Sequence, residues 1–183
     1  MDKRIVIMTV GKTHSGKTTF ARALEKRLTN VTVIDQDVHA AFLLENYASM
    51  LPKRGPNRLK YALTQTIVDY AIKETDHHLI LCNANLRRQA RSELLERFHK
   101  NGFVRVLVHF DWPDDVLKQR ITNSHRRKDI LRTASSFKEV LQFQDGTVEL
   151  PHTKEADVLF TIKEHEDMNE MLLRICQLAQ EGS

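Results

Sequence analysis

Few residues in this chain of 183 act as punctuation or cross-links: there are six glycines, four prolines and two cysteines. So little proline and glycine leaves no low-complexity linker, and no stretch repeats. Cys82 and Cys176 lie far apart and lack metal-ligand spacing, so both read as reduced thiols of the core. Long apolar runs are missing near the amino terminus too. Met1-Asp2-Lys3-Arg4 precedes only six apolar or small residues, too short a stretch for a membrane span or a secretory signal. The expected protein is soluble and cytoplasmic. Charge of one sign is modest: a net +4 and a pI near 9.1 suit an anionic substrate and are too weak alone to indicate nucleic-acid binding. At this length the chain suits one domain, residues 1–183, burying about 70% of the surface its unfolded form exposes.

Against this sparse background, Gly11-Lys12-Thr13-His14-Ser15-Gly16-Lys17-Thr18 fits G-x-x-x-x-G-K-[ST]. The apolar run Ile5 to Val10 precedes it and a helix-like run from Thr19 to Leu28 follows. That context makes the pattern a phosphate-binding loop. Glycine permits a turn so tight that successive backbone N–H groups converge on one anion, while the next helix points its positive end at the same spot. The expected nucleotide contacts are Gly11, Thr13, His14, Ser15, Gly16, Lys17, Thr18 and Thr19, with His14 acting through its backbone alone. Lys17 reaches the β- and γ-phosphates, and the Thr18 hydroxyl is placed to ligate a nucleotide-bound Mg²⁺. With glycine near 7%, the four fixed positions match by chance in on the order of one chain in a hundred of this length or fewer.

Strands are predicted at Ile5 to Val10, Val31 to Ile34, His78 to Cys82, Val104 to Phe110 and Val158 to Ile162, each separated from the next by a helical pattern. This alternation predicts an α/β fold with a parallel five-stranded sheet and helices on both faces. Leu59, Leu63, Ile67 and Ala71 recur at a four-residue step, which predicts one buried helix face. A helix from Arg87 to Lys100 should stop at Asn101-Gly102. Pro113 suits the first turn of a helix to about Asn123, and Ser136 with Glu139 has capping-box spacing. The last helix carries Met168, Leu172, Ile175 and Cys176 as core. In an open parallel sheet ligands collect beyond the carboxyl ends of the strands. Besides the loop, those ends offer Asp35-Gln36-Asp37, Asn83-Ala84-Asn85 and Asp111-Trp112-Pro113.

Phosphoryl transfer needs charge neutralisation through Mg²⁺ and a carboxylate that orients or deprotonates the attacking hydroxyl. Asp35 and Asp37 leave strand two at a spacing that allows one of each role, the bland alternative being solvated loop acids or a helix cap. The most basic stretch runs from Lys118 to Arg132. It reads as a lid closing over a triphosphate, as a solvated helix face or as a track for a polynucleotide backbone. No aromatics for stacking bases are interleaved with it. Arg87, Arg88 and Arg91 sit against the dipole at a helix start, so one is expected to meet an anionic ligand and the others Glu93 or Glu96. His39 reads as structural. No N-K-x-D string is present, which argues against a GTPase-type switch.

Together these stretches resemble the P-loop kinases of the polynucleotide-kinase-like and nicotinamide-riboside-kinase-like branches, an AAA-type ATP-binding domain, over nearly the whole chain. The resemblance rests on Gly11 to Thr19, on Val33-Ile34-Asp35-Gln36-Asp37, and on Leu79 to Leu86 followed by Arg91, Gly102 and Val108 to Pro113. It implies a P-loop NTPase fold and an ATP- and Mg²⁺-dependent kinase that moves the γ-phosphoryl group to a hydroxyl of a small-molecule acceptor. Asp37 matches the acceptor-side aspartate, Arg120 falls where these kinases begin an arginine-bearing lid, and Arg126 is the second lid arginine. The lid is expected around residues 118–145. Cys82 stands where the family often has an aspartate of the Mg²⁺ shell, which leaves Asp35 with Thr18 to hold the metal. No arginine follows Asp37, since Val38, His39, Ala40 and Ala41 occupy that segment, and a polynucleotide acceptor loses support. The alternatives are a 5′-hydroxyl polynucleotide kinase and a nucleotide-binding regulatory protein with slow ATP hydrolysis. An acceptor pocket is expected from Phe42 to Arg58.

Overall fold

A computed structural model of the protein describes residues 3–53, 55–131 and 134–181. Arg54 of the expected acceptor stretch, Arg132 of the basic segment and the first two residues of the amino-terminal run lie outside the described residues, as does Thr133 of the expected lid. Five strands, β1 (Ile5–Val10), β2 (Val31–Ile34), β3 (His78–Leu81), β4 (Val104–Phe110) and β5 (Val158–Ile162), pair in parallel in the order β2-β3-β1-β4-β5. β1 is central and buried along its whole length, which is why its sequence is an unbroken apolar run and does not alternate. The chain steps from β1 out to β2, returns to β3, and crosses β1 to reach β4 and β5. The crevice between the carboxyl ends of β1 and β3 is therefore a topological switch point.

Helices α1 (Lys17–Glu25), α2 (Gln36–Tyr47), α3 (Arg58–Glu74), α4 (Arg88–Lys100), α5 (Asp114–Thr122), α6 (Phe137–Asp145) and α7 (His165–Glu181) complete the described elements, with two short 3-10 turns. Alternate residues of β1 feed two cores. Ile5 and Ile7 pack with Phe20 and Leu24 of α1 and with Leu172 and Ile175 of α7, whereas Val6 and Met8 meet Val68 and Ile72 of α3 and Leu95 and Phe98 of α4. Among the described residues no helix is long and apolar enough to cross a membrane.

Local chemistry sets the element ends. At the end of α4, Gly102 adopts φ +80°, and its N–H bonds the His99 carbonyl while that of Phe103 bonds the Phe98 carbonyl. The Phe98 and Phe103 rings then meet edge to face at 5.2 Å, completing a Schellman stop where Asn101-Gly102 predicts it. Ser136 caps α6 by accepting from the Glu139 N–H, but the Glu139 carboxylate reaches back to Ser135 and not to Ser136. One expectation is corrected: the buried row of α3 is Thr64, Val68, Ala71 and Ile72, turned by about one residue from the expected row. Leu59 and Leu63 instead line a surface groove of about 400 Å³ with Phe42, Tyr47 and Met50, because α2 covers that part of α3 incompletely.

Candidate active site

The phosphate loop joins β1 to α1 across the switch point. Gly11 lies so close to β4 that a Cβ there would stand 2.9 Å from the Phe110 Cβ and 3.0 Å from Ser15 Oγ, so no side chain fits. Its N–H is held by the Ala84 carbonyl after β3. Gly16 caps α1 without a side chain and no acid occupies the first turn, which leaves those amides and the dipole facing the cleft. α2 differs. Its cap, Asp35, accepts the Asp37 N–H at 2.9 Å and satisfies its own helix start.

A cleft of about 750 Å³ opens above the loop, lined by Lys17, Thr18 and Thr19 on one side and Asp35, Asp37 and Val38 on another. Lys17 Nζ donates to the Lys12 carbonyl at 2.6 Å and to Ser15 Oγ at 3.1 Å. Burial pushes its pKa down to about 8, reinforced by Arg126. Thr18 Oγ1 lies 3.4 Å from Asp35 Oδ2, and Cys82 Sγ lies 3.6 Å from the same hydroxyl. Burial raises the Asp35 carboxyl above its ordinary range, opposed by the Asp37 N–H bond. Burial, with Asp35, pushes the Cys82 thiol up to about 11. Cys82 is thus a buried neutral thiol on the cleft floor, and Cys176 is half-buried and also free.

The structure brings the two expected aspartates and both expected arginines to the loop. Arg126 pairs with Asp37 across the cleft, and its neighbour Arg127 pairs with Glu45 of α2 at 2.6 Å. Arg120 donates to the His14 carbonyl at 3.3 Å, lies 4.0 Å over the Trp112 ring and meets His165 Nε2 at 3.1 Å. The expected lid region comprises the end of α5, a non-helical segment reaching Leu131 and, beyond the two undescribed residues, α6.

Several contacts carry no signal in the sequence. Gln144 of α6 accepts the Thr13 N–H at 2.7 Å, so one amide expected to face phosphate is engaged by the protein here. Lys12 pairs with both Asp114 of α5 and Asp145 of α6, at 2.7 and 2.5 Å. The His14 ring meets Phe137 of α6 edge-on at 4.8 Å, and burial, then Arg126 and Lys17, drive its pKa down to about 4. His39 bonds Thr64 at 2.8 Å and is structural as expected. Arg91 is a correction to the expected partners: it is buried on Glu155 at 2.9 Å, which Arg88 also approaches at 3.8 Å, and pairs with neither Glu93 nor Glu96. The stretch after Phe42 lines the smaller groove, whereas Val38, Ala41 and Lys60 flank the cleft itself.

A five-stranded parallel sheet in this order, carrying a phosphate loop after its central strand, defines the P-loop NTPase fold. Residues 6–145 match the AAA domain family, and the chain belongs to it. No curated protein gives a match. Among solved structures, a provisionally assigned kinase of Chloroflexus aurantiacus superposes with a TM-score of 0.72 at 18% identity, all of each chain being covered. A sugar kinase of Janibacter sp. gives 0.63 at 22% identity over 100% of this chain and 99% of that one. The APS kinase of Mycobacterium tuberculosis, in complex with AMPPNP and APS, gives 0.60 at 15% identity over 98% and 99%. At these identities the likeness shows the fold.

Proposed function

We propose that the protein is an ATP-dependent kinase that transfers the γ-phosphoryl group to a hydroxyl of a small molecule. The observation that carries this reading is the convergence of Lys17, Thr18, Asp35, Asp37 and Arg126 on one cleft at the phosphate loop and the start of α1. Similar folds are found in proteins described as a sugar kinase and an APS kinase, which supports the class. Lys17 and the loop amides hold the triphosphate. Thr18 and Asp35 fit Mg²⁺, since they offer two adjacent oxygens, one from a buried carboxylate that forms no ion pair among the described residues. Held there by Thr18 and Asp35, Mg²⁺ would supply charge neutralisation at the phosphates.

Asp37 orients the acceptor hydroxyl and takes its proton as the new O–P bond forms and the bond to the ADP oxygen breaks. Arg126, which pairs with Asp37, has a second anionic address in the transferring phosphoryl group. Its move to the phosphate frees Asp37 for the acceptor. Arg120 closes the loop side.

The test is transfer from γ-labelled ATP in the presence of hydroxyl-bearing metabolites and, separately, a 5′-hydroxyl oligonucleotide. A small-molecule acceptor is expected to stimulate transfer, and Asp37→Asn to lower it by roughly 10² to 10⁴ with nucleotide affinity little changed. Asp35→Asn should instead raise the Mg²⁺ needed for half-maximal rate. Slow hydrolysis in every arm would indicate a regulatory nucleotide-binding protein, and stimulation by the oligonucleotide alone a polynucleotide kinase.

A further inference from the structure

The cleft is wider than a phosphate site needs, and its acceptor end is unevenly charged. Beyond Asp37 it is walled by Val38 and Ala41 of α2 and by Lys60 from the first turn of α3. The other cations that line the cleft are engaged: Lys17 with the loop, Arg126 with Asp37, Arg127 with Glu45 and Asp129. Lys60 is different. It is half-buried, and no carboxylate among the described residues forms an ion pair with it. Its ammonium sits 4.6 Å over the Tyr61 ring. The titratable group beside it, His39, is bonded to Thr64, and its pKa is lowered by burial and by Lys60 against an opposing pull from Asp35. A half-buried lysine whose ammonium lies over a ring, beside an imidazole and an apolar wall and with no ion-pair partner among the described residues, is available to an anion in the cleft.

We propose that Lys60 is a specificity residue for the acceptor, and that the acceptor is a hydroxyl compound bearing an anionic group, a phosphate or a carboxylate, which Lys60 binds while Asp37 addresses the hydroxyl. The inference rests on the kinase reading, because that reading puts the acceptor beside Asp37. Asp37 repels an anion, so the charged group of the acceptor has to lie away from it, and Lys60 supplies the attraction at the α3 side of the cleft. Val38 and Ala41 pack against the carbon skeleton between the two. A neutral polyol would leave Lys60 as it stands in the free protein and would gain nothing from it.

The experiment saturates the nucleotide site with AMPPNP and Mg²⁺, so that phosphate-bearing probes cannot occupy the loop. A library of hydroxyl-bearing metabolites is then screened by thermal shift and calorimetry. Half of its members carry a phosphate or carboxylate and half do not. Binders are expected in the anionic half, with affinity at least tenfold weaker in Lys60→Gln, recovered to within a fewfold in Lys60→Arg, and with AMPPNP affinity the same in all three proteins. A neutral binder, an anionic binder indifferent to Lys60→Gln, or no binder in the library overturns the proposal and leaves the kinase reading standing. Failure of the parent to bind AMPPNP overturns that reading, and this inference with it.

Discussion

Lys17 has two uses for one ammonium. It is tied to the Lys12 carbonyl and Ser15 Oγ, and burial lowers its pKa to about 8. A triphosphate favours the charged form, so its arrival raises that pKa and draws a proton from solvent. Near pH 8 part of the population starts neutral, and binding ATP should take up a fraction of a proton at this group. Calorimetry in buffers of different ionisation enthalpy reads this uptake directly. Lys17→Met should abolish it and lower any transfer rate by on the order of a hundredfold or more, since the charge is aimed at the transferring phosphate. Equal uptake in parent and variant would remove Lys17 from the phosphate site. Single residues were legible where a motif fixes their geometry, as for Lys17 and Thr18. Lys60 was not, because its proposed role rests on the lack of an ion-pair partner among the described residues, which only the assembled cleft displays.

Among the elements, the segment between α5 and α6 has the most to do in the proposed cycle. It spans the cleft through two ion pairs to α2, Arg126 with Asp37 and Arg127 with Glu45, while Arg120 on α5 rests against the loop and the Trp112 ring. A guanidinium acting on charge developed inside a closed cleft is little screened by salt, whereas contacts to a polynucleotide backbone weaken steeply as counterions compete. Arg120→Ala and Arg126→Ala should each lower turnover, by on the order of a hundredfold for Arg126, with a deficit that persists as ionic strength rises. An oligonucleotide bound tightly by the parent at physiological salt and released by either variant would mark the segment as a nucleic-acid track. Strand positions were readable to within a residue because each is a short apolar run ended by a turn. The buried row of α3 was misjudged because a four-residue step does not say which side of the helix meets the sheet, and the packing of Val68, Ala71 and Ile72 against β1 and β3 decides it.

At the scale of the whole molecule, a buried charge pair that never touches the site is placed to hold it. Arg91 of α4 is buried on Glu155, in the 3-10 turn before β5, and also donates to the carbonyls of Asn85 and Leu86 at 3.0 and 2.9 Å. The segment it holds is the one whose Ala84 carbonyl accepts the Gly11 N–H at the start of the phosphate loop. Sequence distance hid this pair, since its partners are 64 residues apart and Arg91 has nearer acids in its own helix. Burial alone would raise the Glu155 pKa, but bonds from Arg91 and the His152 N–H outweigh it and hold the carboxyl below its ordinary value. The stabilisation is therefore present above the unfolded value near 4.5 and is lost as pH falls through the folded one. Glu155→Gln keeps the shape and strands a buried guanidinium, so it should cost about 3–5 kcal/mol and lower Tm by on the order of 10 °C at neutral pH. The deficit should shrink in acid, where the parent loses the same charge. Replacing Arg91 and Glu155 together with methionine should cost less than Glu155→Gln alone, because no charge is left unpaired in the core. Thermal melts of the three proteins at neutral and acid pH decide the matter, and a Glu155→Gln protein as stable as its parent at neutral pH would show that the pair is not what holds β3, α4 and the phosphate loop together.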